Sequence, residues 1–293
     1  MNLRQRIRKL FSLGRPHDPS VQPIAGYPSS IVDSYGCEFG FEMYYHIAYA
    51  YHLHRRGLLT KTISCRDTKC FYWFSDNHEE RYQRRDWVAH YPCIAQTPHQ
   101  TPDFSRWTVP DFRGHYRGQV DFGFQRPLLL VFNKYNGEWF GPPVNYLSKD
   151  QLVGLADWAR DRYQMVYFRP TRKIVEDNSD VFDLDEKQTL SQMGVVMAES
   201  LHDKYSQLTF NEFQLCLLAQ ADQRIAVQGG ATYLNALFPG DLLILHRRGE
   251  ESERGTYEHF KRMAVDTVDV FDDDHQLIET LQRRNSNPDR DVA

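Results

Sequence analysis

The chain reads as an α/β protein of two Rossmann-like halves facing a cleft, the C-terminal half the more complete. Three observations carry that expectation. Short apolar runs recur along the chain, each followed by a polar or glycine-bearing turn and then by helical periodicity. Residues 224–249 run strand, glycine turn, short helix, strand, which is the order of a parallel βαβ unit. Residues 30–65 repeat that order more loosely, with Gly36 and Gly40 in the loop.

Residues 1–28 stand apart. The first 15 contain no acid, and Leu3, Ile7, Leu10 and Phe11 fall on one stripe of a helix whose other faces carry Arg4, Arg6, Arg8 and Lys9. A basic amphipathic helix suits an anionic membrane surface. An organelle transit peptide and a solvated terminus share that composition. Pro16, Pro19, Pro23 and Pro28 then make a linker.

The N-terminal half is expected over 29–126. A strand at 30–34 leads through the glycine-bearing turn to a helix over 41–56, which Gly57 ends, and a strand follows at 60–65. In 66–86 an aromatic run precedes Asp76, Asn77, His78 and Glu79. These residues either orient hydroxyls and supply a base, or start an exposed helix with Asp76 or Asn77 as its N-cap. Residues 92–126 lack periodicity and read as a long connection.

The C-terminal half is expected over 127–284. A strand at 127–132 ends in Asn133 and Lys134, polar residues at the strand end where α/β proteins place ligands. Ser148 caps a helix over 149–163, and a strand at 164–168 ends in Arg169. Arg169 meets either a phosphate or the acidic loop 176–185. A helix over 210–221, started near Thr209 or Asn211, leads to the strand 225–227. Gln228, Gly229 and Gly230 turn the chain into a helix over 231–238 that Pro239-Gly240 stops, and the strand 242–245 ends in His246, Arg247 and Arg248. A strand at 268–271 and a helix over 274–284 close the half, and 285–293 is expected to be a disordered tail. The glycine turn is neither GxGxxG nor a P-loop. Glycines there let backbone approach an anion, and they also serve simple packing.

Composition narrows the function. A formal charge of −4 argues against nucleic acid as a partner. No apolar run nears the ~20 residues that span a bilayer, and no signal-peptide pattern is present. Five cysteines, an odd and thinly spread set, suit reduced thiols and the cytoplasm, with the first 15 residues able to hold the chain at the inner membrane face. Cys65, Cys70, His78 and Cys93 miss the spacing of structural zinc sites, so no metal is expected.

The order described for residues 127–271, most specifically 210–245, resembles the GT-B-type glycosyltransferases, and the glycine loop and helix of 35–57 resemble the opening of their N-terminal half. The resemblance implies a nucleotide-sugar co-substrate held by the C-terminal half, a glycan or lipid-linked acceptor at the N-terminal half, no bound metal and no further cofactor. It implies synthesis of a surface polysaccharide or glycoconjugate. The diphosphate would meet Asn133, Lys134, Arg169, Gln228, Gly229, Gly230, Ala231, Thr232, and Arg247 or Arg248. An inverting enzyme would need a base, with Glu38, Glu42, Asp67, His78 and Glu79 as candidates. The rivals are a sugar-nucleotide epimerase on the same scaffold, a protein acting on phosphate esters, and a non-catalytic interaction protein whose Gly-Gly turn is packing.

Overall fold

The computed structural model describes residues 30–83, 85, 105, 107–138, 141–169 and 180–285. The basic segment 1–15, the linker and the tail beyond Asn285 lie outside the described residues. Among the described residues the strands form two parallel sheets. The first has β1 (Ile31–Asp33), β2 (Lys61–Cys65) and β3 (His78–Tyr82), with β2 in the middle. Between β1 and β2 run α1 (Phe39–Phe41), a fully buried π-helical turn (Glu42–His46) and α2 (Ile47–Arg55). Gly57 at φ 68° ends this helical stretch in the left-handed conformation that glycine adopts without penalty.

Strand β3 corrects the expectation of an exposed helix start at Asp76. Its residues pair in parallel with β2, Ile63 opposite Glu79, and Lys61 on β2 pairs with the Glu79 carboxylate. Cross-strand charge pairing at a sheet edge, where one side of the ladder is unpaired, suits a polar strand.

After α3 (Phe112–Tyr116), a helix within the segment 92–126 expected to be a plain connection, the second sheet begins with β4 (Leu128–Phe132). It continues through α4 (Lys149–Ala159), β5 (Gln164–Phe168), α5 (Lys187–Gln192), β6 (Val196–Met197) and α6 (Ala198–His202). Next come α7 (Phe210–Leu218), β7 (Gln223–Val227), α8 (Gly230–Asn235), β8 (Asp241–Leu245), α9 (Thr256–Met263), β9 (Thr267–Phe271) and α10 (Asp274–Asn285). The strand order is β6-β5-β4-β7-β8-β9, all parallel. Counted from β4 this is the doubly wound 3-2-1-4-5-6 order, whose direction of winding reverses between β4 and β7.

Local chemistry explains the main elements. Every residue of β4 is buried, as the central strand of a sheet covered on both faces must be. Leu128, Leu130 and Phe132 point to the core shared with Phe213 and Leu217 of α7, while Leu129 and Val131 face Leu152 of α4 and Leu277 of α10. Capping boxes start α4 (Ser148 with Gln151) and α7 (Thr209 with Glu212), each satisfying N–H groups that the first helical turn leaves free.

The two sheets do not simply face one another across open space. Val32, Met43, Tyr44 and Phe71 of the first half belong to the same apolar cluster as Phe132, Phe168, Leu234 and Phe238 of the second. Among the described residues, no helix is long and apolar enough to cross a membrane.

Candidate functional site

A cavity of about 690 Å³ opens at the carboxyl ends of β4, β5 and β7. It therefore sits at the reversal point of the sheet, where open α/β sheets bind ligands. Phe132, Asn133 and Lys134 line it from β4, Phe168 and Arg169 from β5, and Val227 through Ala231 from β7 and the glycine turn. Its described lining comes from the C-terminal half alone.

Gly229 adopts φ 133° and ψ −167°, a backbone that side chains rarely tolerate. A Cβ there would stand 3.4 Å from the ammonium of Lys134. That ammonium donates to Gln228 Oε1 at 2.8 Å and pairs with the Glu138 carboxylate. Glu138 is held in turn by Asn145, whose backbone and side-chain nitrogens donate to it at 3.2 and 2.9 Å. A cation, an amide and two glycine peptides thus converge on one wall of the cavity.

Other residues expected to hold a diphosphate are placed differently. Asn133 lines the cavity, but its side chain turns inward to Leu147 and to the Tyr167 hydroxyl, each at 3.0 Å. Thr232 is fully buried, outside the lining, and its hydroxyl donates to the Gly229 carbonyl at 2.7 Å. The Arg169 guanidinium follows the alternative reading, because it binds Glu186 at 2.5 Å, the Phe182 carbonyl at 3.1 Å and Asp183 at 3.4 Å. Burial works against its charge, and Glu186 more than restores it, so its pKa is raised. Asp185, two residues beyond Asp183, pairs with Lys149. Arg247 and Arg248 lie off the cavity. Arg247 donates to the Val144 and Tyr146 carbonyls and pairs with Asp274, while Arg248 is exposed.

Glu38, Asp67, His78 and Glu79 do not line the cavity, and the structure does not bring them together at it. Glu38 is exposed at the start of α1, and Asp67 is exposed at φ 61° beside Arg66. His78 stacks on Tyr72, and its ring nitrogens meet the hydroxyls of Thr62 at 2.7 Å and Ser64 at 3.0 Å. Burial lowers its pKa. Hydrogen bonds from Arg81 and Lys61 hold Glu79 down at about 2, which makes it a weak base at neutral pH. Glu42 is fully buried and bound by Tyr72 and Arg85.

No pattern in the sequence announces the opposite wall. Ala198, Glu199 and His202 come from α6, and Phe210 and Gln214 from the start of α7. Glu199 takes a hydrogen bond from Lys187 at 2.7 Å, while its second oxygen is buried and has no hydrogen-bond partner among the described residues. The spacing of Glu199 and His202 on one helical face was the available signal, but a five-residue helix is too short for periodicity to reveal. The described cysteines, Cys37, Cys65, Cys70 and Cys216, are buried, and no described group of three or more His, Cys, Asp or Glu side chains is placed to hold a metal.

Compared with protein-family models, with curated proteins and with solved structures, the chain matches none.

Proposed function

We propose that this cavity holds the diphosphate of a nucleotide sugar and that the chain is a glycosyltransferase passing the sugar to a glycan or lipid-linked acceptor. The observation that carries the reading is the meeting of the Lys134 ammonium with the Gly229–Gly230 turn at the reversal point of the doubly wound sheet. Cleavage of the anomeric C–O bond leaves a nucleoside diphosphate with growing negative charge. A fixed cation and backbone dipoles in a partly enclosed cavity stabilise that charge more than water would, because they need not reorganise. The cavity volume falls within the range of small-molecule sites. The basic segment 1–15 would hold such an enzyme at an anionic membrane surface, close to a lipid-linked acceptor.

The test is to incubate the full chain with UDP-, dTDP- and GDP-linked sugars, with and without candidate glycan and lipid-linked acceptors. Release of nucleoside diphosphate that needs the acceptor is the expected result. Conversion of the nucleotide sugar without an acceptor would make the protein an epimerase. Failure of every donor to bind would remove the enzyme reading altogether.

A further inference from the structure

Gln228 lines the cavity with an amide whose two ends are chemically different. Its Oε1 accepts from Lys134 Nζ at 2.8 Å and from Asn145 Nδ2 at 3.3 Å, while its Nε2 donates to the carboxylate of Glu251. An amide turned end for end would set its NH₂ against the Lys134 ammonium, donor against donor. Glu251 prevents this, because an ionised carboxylate only accepts.

Glu251 comes from the loop between β8 and α9, which folds back over Gln228 at Gly249. Gly249 has φ 146°, and a Cβ on it would collide with Glu251 Oε2 and stand 2.9 Å from His246 Nε2 and 3.3 Å from Gln228 Nε2. The His246 side chain is 5% exposed, and its Nε2 lies 3.9 Å from Glu251 Oε2. Neither of those two atoms has a hydrogen-bond partner among the described residues. The other ring nitrogen of His246 meets the Ser252 hydroxyl at 2.6 Å. Three polar side chains thus converge on the space that a residue other than glycine would fill.

We infer that Glu251 is a positioning residue for the diphosphate site: seated in the hollow at Gly249 beside His246, it orients Gln228, and Gln228 holds the Lys134 ammonium against the Gly229–Gly230 turn. The inference rests on the diphosphate reading above. It extends the site to a loop that contributes no lining residue, so its effect reaches the ligand only through Gln228 and Lys134.

Calorimetric titration of the full chain with UDP, dTDP and GDP identifies the tightest binder, which is then compared with its own phosphate-free nucleoside. Glu251→Ala is expected to weaken the diphosphate about tenfold, the size of one charge-assisted hydrogen bond, and to leave the nucleoside unchanged. Glu251→Gln keeps an oxygen that accepts from Gln228, so it is expected to keep the wild-type affinity. Gly249→Ala, which displaces the carboxylate, is expected to follow Glu251→Ala. Thermal melts of each variant separate lost folding from lost binding. Unchanged diphosphate affinity in a folded Glu251→Ala overturns the positioning role alone. So does an equal loss of nucleoside and diphosphate, or a Glu251→Gln as weak as Glu251→Ala. A wild-type chain that binds none of the three diphosphates overturns the underlying reading, and does so before any variant is made.

Discussion

The ring of Phe39 lies 3.1 Å from the point where a Cβ of Gly230 would stand, so the first helical residue of the N-terminal half packs against the glycine turn of the other. Tyr233 makes the reciprocal contact, 2.8 Å from the Cβ position of Gly40. Glycine at 230 therefore has two separate consequences. It lets the halves close on each other through α1 and α8, and on its other side it leaves backbone facing the cavity.

Gly230→Val should force Phe39 away and cost about 1–3 kcal/mol, the range for overpacking a tight contact. Phe39→Ala in the same chain should recover part of that loss, giving a non-additive pair. Urea denaturation of the two single variants and the double variant measures the coupling. Additive losses would mean that the contact carries no energy.

Arg169 and Glu186 form a buried pair, their side chains 1% and 0% exposed. Removing one partner strands the other charge away from water, so Arg169→Ala should cost about 3–5 kcal/mol of stability. The loss should appear as a lower denaturation midpoint without any ligand present. A folded Arg169→Ala of wild-type stability that fails only in nucleotide binding would return Arg169 to the phosphate.

His46 is fully buried in the π-helical turn, and its pKa is lowered to about 4, chiefly by burial, with Glu42 partly opposing. The unfolded chain then binds more protons than the folded one between the ordinary histidine pKa of about 6.5 and about 4. Stability should fall as pH drops through that window, with His46 adding up to about 1.4 kcal/mol per pH unit, and its share should level off below about 4. His46→Leu should remove that share of the slope. Denaturation midpoints recorded from pH 4 to 7.5 for both chains test this, and identical slopes would rule out a buried neutral His46.

Much of the fold was legible because the middle strands of the second sheet are buried on both faces. A central strand such as Leu128–Phe132 then becomes an unbroken apolar run, and the caps at Ser148 and Thr209 mark their helices within a few residues. Strand β3 was not legible, because Glu79 and Arg81 on it are paired charges and no apolar alternation survives. The lining of the candidate cavity was legible where it depends on a strand end, as at Lys134 and Gly229. It was not legible where a side chain's direction is decided by a distant partner. Arg247 turns to Asp274, and Gln228 takes its orientation from Glu251 and Asn145, neither of which any local pattern announces.

Calorimetric titration of wild-type and Lys134→Gln chains with nucleoside diphosphates is the most direct test of the site. Glutamine can still donate toward Gln228 and Glu138 but carries no charge. The account predicts saturable binding by the wild type and a loss of about tenfold or more in the variant, with the matching nucleoside unaffected. Equal diphosphate affinity in the two chains would contradict it.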